Sequence, residues 1–474
     1  MKPVLVLVVT VTALAAGFIG ASVWTGRKAE ACIEQFVAPG SPNAQFYALH
    51  LQSYHRGWFS SDAVVDIEIR RAWMQGFSPA HTVTGPIHIV FAEHVRHGPL
   101  FFDAHRVQWG AARIETRLVR ISGPMGSLPV GHIQYRADSL LAFDGTLRSR
   151  LAVDPVDLAL NDGVRLHWDG LHARVTNFPD RHTVAAVHAG SVQIRSPKGH
   201  FAIAGMDLTA DVRQDPLGIY YGPEAISFRG LEGEGVGTPP ITIQRVALKA
   251  TGALEPGHAL RMREDFDVTG IQIPQIDVQD VHLGLDVDHL PEEPFLSARK
   301  RMMAINGQDL TPPERAGAML RLWTSLLPAV LADSPTMHLR DLRVVTRAGV
   351  VKADATIHYD ASVKPAAGVS PFDFQAVAVQ ARLSIPVVLL HRLVLASMRS
   401  TLEAACARNS KLQLDPARIN ALAKAASRSR IANLINRHML VRDADLYRAS
   451  LSIELGKVLV NGYPVAVHVP APAG

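Results

Sequence analysis

Short alternating runs of apolar and polar residues dominate the chain. Val65, Ile67 and Ile69 alternate with Asp66, Glu68 and Arg70, which gives a strand one apolar face and one wet face. The pattern returns as Val281, Leu283, Leu285 and Val287 against His282, Gly284, Asp286 and Asp288, and again at Leu451, Ile453 and Leu455. Turn signals separate such runs, among them Asp144-Gly145, Asp162-Gly163 and Asp169-Gly170. One-sided alternation predicts antiparallel sheet with one face on a core, because parallel strands read as continuous apolar runs. From about Gln45 to Leu290 no long helix is predicted. Small or turn residues recur before strand-like stretches, as in Trp109-Gly110-Ala111 and Trp168-Asp169-Gly170-Leu171, but their irregular spacing is not that of a solenoid.

The period changes in the C-terminal part. Thr311-Pro312-Pro313-Glu314 reads as a capping box, and Met319, Leu320, Trp323, Leu326, Leu327, Val330 and Leu331 follow at helical spacing. A second helical block follows Pro386. A third starts at Asp415-Pro416 and runs to about Met439, with Ile419, Leu422, Ala423, Ala426, Leu434 and Ile435 along one side. The predicted fold is mainly β with α (α+β): an elongated, largely antiparallel sheet with two helical insertions, after an N-terminal transmembrane helix. Its segments are an anchor at 1–28, a β-rich exported region at 29–293 and a helical insertion at 294–332. A β-rich stretch at 333–385, a helical segment at 386–440 and a C-terminal strand pair with a tail at 441–474 follow.

The anchor rests on Val4 to Trp24, a run of 21 residues without a charge between Lys2 and Arg27-Lys28. At about 1.5 Å per residue it spans a hydrocarbon core of about 30 Å. A cleaved signal peptide has a shorter apolar region, and Arg27, Lys28 and Glu30 spoil the small-residue site that cleavage needs. The run is therefore read as uncleaved, with the long remainder of the chain outside the cytoplasm.

Composition changes little in this picture. Apolar residues make up 48% of 474, and 48 basic against 43 acidic residues leave a net charge of only +5, without the basic clusters of a nucleic-acid binder. The two cysteines, Cys32 and Cys406, are enough for one disulfide but read first as two unrelated thiols, and no Cys-x-x-Cys occurs. Glu93-His94-Val95-Arg96-His97 tempts a metal reading, but Gly98-Pro99 follows at once and the segment reads as a strand end. Gly233-Glu234-Gly235-Val236-Gly237 reads as a loop, because Pro239-Pro240 stands where a phosphate-binding helix would begin. No catalytic, metal or cofactor constellation is visible, so no cofactor is expected.

The stretch Tyr54-His55-Arg56-Gly57-Trp58-Phe59-Ser60-Ser61, the triplet His97-Gly98-Pro99 and Trp24-Thr25-Gly26-Arg27-Lys28 together resemble the YdgA-like family of bacterial proteins. The C-terminal pattern from Ile385-Pro386 to Gly456, Asn461 and Gly462 is similar as well. The resemblance implies a single-pass inner-membrane anchor, a periplasmic domain of unknown function and no catalytic residues. Read locally, Gly57 allows a tight turn, Trp58 and Phe59 anchor the bend in the core, and Ser60 and Ser61 start the next strand. An alternative gathers Tyr54, His55 and Arg56 around an anion or polar headgroup.

Three function classes follow. The first is a non-enzymatic envelope protein acting through contacts with a protein partner or a second copy. In the second, a lipid-handling module, the sheet shields acyl chains along an apolar groove. An enzyme is the third and has the least support. A continuous apolar groove favours the second class, and a flat apolar outer helix face favours the first.

Overall fold

The computed structural model describes residues 47–69, 85–103, 106–123, 126–128, 130–159, 163–215, 219–235, 238–255, 259–273, 276–306, 310, 312–363, 375–408 and 415–465. The expected anchor at Val4–Trp24, Cys32 and the Thr311 cap lie outside the described residues. Among the described residues, no helix is long and apolar enough to cross a membrane. The chain forms two compact units, residues 1–238 with 296–323, and 239–295 with 324–474.

The first unit is built on an antiparallel meander. Its strands are Tyr47–Arg56, Ser60–Ile69, Ile87–His97, Ala112–Gly123, Tyr135–Leu141, Leu147–Val153, Leu171–Asn177, His182–Ala189, Gly199–Gln214 and Tyr220–Gly235, each paired with the next. Three short strands, Val156–Ala159, Arg165–Trp168 and Val192–Ser196, form a flap beside the start of Gly199–Gln214. A separate hairpin joins Leu100–Asp103 to Arg106–Trp109. The turns follow the sequence signals: Gly145 takes φ +89°, which a side chain would resist.

The second unit repeats the antiparallel plan. Thr238–Glu255, Ala259–Ile273, Ile276–Pro291, Thr336–Thr346, Gly349–Tyr359, Val377–Pro386, Leu446–Glu454 and Lys457–Val460 pair in that order. Leu283 faces Phe266 on one neighbour and Leu342 on the other, and is half-buried. Helices Val387–Arg408 and Pro416–Asn436 pack together. Ile431 joins Ile385 and Tyr447 in the buried core of this unit. Burying one such isoleucine is worth roughly 1.5–3 kcal/mol.

Two helical faces differ from the expectation. In Pro416–Asn436 the buried line is Ile419, Ala423, Ser427 and Ile431, a strict four-residue ridge, and Leu422 stands exposed beside it. In Pro312–Leu331 the buried residues are Leu322 and Leu326, while Leu320 and Trp323 face solvent. Apolar residues outnumber the positions one helix face can cover, so the sequence stripe is wider than the packed one. The glycine-rich stretch also departs from a loop. Gly233 and Gly235 lie within the strand Tyr220–Gly235, opposite Phe201 and Gly199, and it is Gly199, at φ +146°, where an added Cβ would overlap the facing backbone.

Candidate functional site

The resembling motifs, 36 residues apart in sequence, meet at one end of the first unit. Gly57 N–H donates to the Ser60 carbonyl at 2.7 Å and closes the turn between the first two strands. The His97 N–H donates to the Phe59 carbonyl at 2.8 Å, and the Ser61 hydroxyl lies 2.8 Å from His97 Nε2. On its other side His97 Nδ1 is 3.4 Å from the Trp58 carbonyl. A carbonyl only accepts, so Nδ1 is placed to donate to Trp58, while Nε2 shares a hydrogen bond with the Ser61 hydroxyl. Ser61 is 1% exposed and His97 5%, so this pair is shielded from solvent and acts as a clamp on the turn.

The triplet continues the clamp. Gly98 N–H donates to the Ala111 carbonyl at 2.8 Å, and Gly110 N–H donates to the Pro99 carbonyl at 3.2 Å. The Gly98–Pro99 peptide is cis. A Cβ at Gly98 would overlap the Gly110 carbonyl, so glycine is required there by close approach of two backbones. Val95, Ala111, Ala112 and Leu141 form the core beneath, with Tyr54 packed against it.

Trp58 and Phe59 are not core anchors. They are 70% and 49% exposed. Small polar groups, Ser61 and His97, fill the interior of the bend, and the two large rings stand at its exposed apex. His55 and Arg56 are exposed while Tyr54 packs inward, so the three do not converge on one anion.

One concavity of this unit lies along the sheet. A trough of about 1170 Å³ is lined by strands from Ala112–Gly123 to Gly199–Gln214 and includes Leu118, Tyr135, Ala137, Leu151, Ala173 and Val187. All six are half-buried, and the exposed Arg117, Arg136, Arg150, Arg174, His172 and His188 line the same trough beside them. Cross-strand register places Leu151 beside Ala137 and Ala173, and Ala173 beside Val187, so the apolar positions form one continuous row.

One carboxyl enters that apolar face. Glu93 pairs with Thr116, a trough residue, and stands two residues from Phe91, whose ring lies 5.1 Å from that of Tyr135. Burial raises the Glu93 pKa above the ordinary carboxylate value. Burial, and then the charge of Glu93, push the Tyr135 hydroxyl up to about 12. The arrangement offers an apolar bed with a carboxyl and a phenol at one edge. Among the described residues no group of three or more His, Cys, Asp and Glu side chains is placed to hold a metal ion.

The clamp residues stand out in the sequence, whereas Glu93 reads there only as part of a histidine pair. A signal was present: Phe91, Glu93 and Val95 share one strand parity, which puts the carboxylate on the apolar face.

Comparison with known proteins adds a family and no activity. The family described as "Bacterial protein of unknown function (DUF945)" matches over residues 1–468. Protein YdgA of Escherichia coli (strain K12) is 20% identical over 388 residues, which cover 72% of this chain and 72% of that protein. No solved structure matches the chain.

Proposed function

The chain belongs to the DUF945 family of bacterial proteins of unknown function, with YdgA as a relative, and on that premise we propose that it is a binding protein of the cell envelope that shelters an acyl chain. The observation that carries this reading is the continuous row of half-buried apolar residues Ala137, Leu151, Ala173 and Val187 along the trough, with the exposed Arg117, Arg136, Arg150 and Arg174 lining it beside the row. A lone apolar sheet face exposed to water invites aggregation, so a ligand that covers it stabilises the protein. The uncharged run Val4–Trp24 supports a single-pass inner-membrane anchor with the bulk of the chain in the periplasm. Acyl chains are the apolar ligand available there. The broader reading, an interaction protein with an envelope partner or a second copy, rests on the same anchor.

Native mass spectrometry of the full chain released from detergent tests the trough. Adducts of lipid mass are expected on the parent protein. Ala173→Trp fills the middle of the row without adding charge, and should lose the adducts while keeping the circular dichroism of the parent. A parent with no lipid above a detergent-washed control, or a folded A173W that retains it, overturns the reading.

A further inference from the structure

The end of the first unit presents aromatic residues that its own core does not use. The hairpin Leu100–Asp103 with Arg106–Trp109 turns one face inward, where Phe101 is 3% exposed. Its opposite face carries Phe102, Val107 and Trp109, which are 70%, 56% and 67% exposed. Strand alternation with Phe102 opposite Val107 makes these three a contiguous outward set. Trp58 and Phe59 stand at the neighbouring turn, joined to the hairpin's root through the hydrogen bond from His97 to Phe59 and those linking Gly98, Pro99, Gly110 and Ala111.

We propose that this aromatic end inserts into the headgroup region of a phospholipid bilayer. Tryptophan favours that region because its ring is apolar and its indole N–H stays hydrated, and exposed arginine beside it meets lipid phosphates. Arg56 and His55 are exposed next to Trp58, and no acidic residue occurs from Tyr54 to Ser61. Asp62, which follows, holds His94 at 2.7 Å. The area argues against a second copy of the chain. Four aromatic side chains of about 150–250 Å² each, about two-thirds exposed, offer roughly 400–650 Å². A stable dimer buries about 800 Å² on each partner. The motif thereby gains a division of labour: Ser61, His97 and Gly98 hold the turn rigid, and Trp58 and Phe59 are what it holds out. The proposal is independent of the acyl trough, since no residue is shared.

Tryptophan emission of the full chain in vesicles of phosphatidylethanolamine and phosphatidylglycerol with bromine on the upper acyl chain tests it. Trp24→Phe first removes the tryptophan at the end of the apolar run. Emission of W24F should be quenched by brominated lipid relative to plain vesicles, and W24F/W58S/W109S should lose most of that quenching with unchanged circular dichroism. Equal emission of W24F in both vesicles, or equal quenching of the triple variant, overturns the proposal. So does a change in sedimentation from dimer to monomer between W24F and W24F/W58S/W109S without any loss of quenching, which would make the end a contact between copies.

Discussion

Ser61 Oγ and His97 Nε2 lie 2.8 Å apart in a space that solvent does not reach. The bond ties the start of one strand to the end of the next across the bend at Gly57. Ser61→Ala leaves the imidazole nitrogen buried without that partner, which costs about 1–3 kcal/mol. Urea denaturation should show a lower midpoint at unchanged slope. An unchanged or higher midpoint would mean that the hydroxyl is kept for something other than holding the turn, since residues kept for activity often cost stability.

Gly98→Ala tests the close approach at the other half of the clamp. The new methyl meets the Gly110 carbonyl, a backbone atom that cannot rotate away. The loss should reach or exceed the ~1–3 kcal/mol typical of overpacking. Gly131, where an added Cβ would meet nothing within 4 Å, is the control: Gly131→Ala should shift the midpoint little. Equal effects at both positions would remove the steric account.

Much of this was legible in the alternation. Val65 and Leu283 fall on antiparallel strands, and the Asp-Gly pairs at 144 and 169 fall at turns, because period and turn chemistry are local properties. The bond between Ser61 and His97 was not legible, since it depends on register across a connection of 17 residues between Ile69 and Ile87. Trp58 and Phe59 were misplaced for a different reason. A bend has no period, so apolar character there does not say which side is covered.

Asp415 offers a local test that was readable from sequence. Its carboxylate accepts from Arg418 N–H at 2.7 Å and caps the helix Pro416–Asn436, with proline following in the first turn. Asp415→Ala should cost about 1 kcal/mol, and Asp415→Ser much less, because serine is also a good cap. Matching losses in the two variants would show that charge rather than capping matters.

The anchor is checked by mass. If Val4–Trp24 remains attached, the protein from the membrane fraction has the intact mass of the full chain. A mature N-terminus beginning after residue 20 would instead mean cleavage.

Glu93 gives the pH test. Its carboxyl holds a proton more tightly in the folded chain than an ordinary glutamate does, because burial disfavours the charge. The native state therefore binds more protons than the unfolded state once pH rises above the unfolded value. Stability falls with rising pH through that window and stays reduced above the folded pKa. Glu93→Gln has no charge to bury, so it should be more stable than the parent at neutral pH, with the difference closing below about pH 4. Tyr135 supplies an independent readout. Its ionisation, followed by tyrosinate absorbance, should move down from about 12 when the Glu93 charge is removed. It should stop above 10.0, since burial is the larger cause and remains. A stability difference that does not vary with pH, or a Tyr135 titration that ignores the substitution, would place Glu93 in water and off the apolar face.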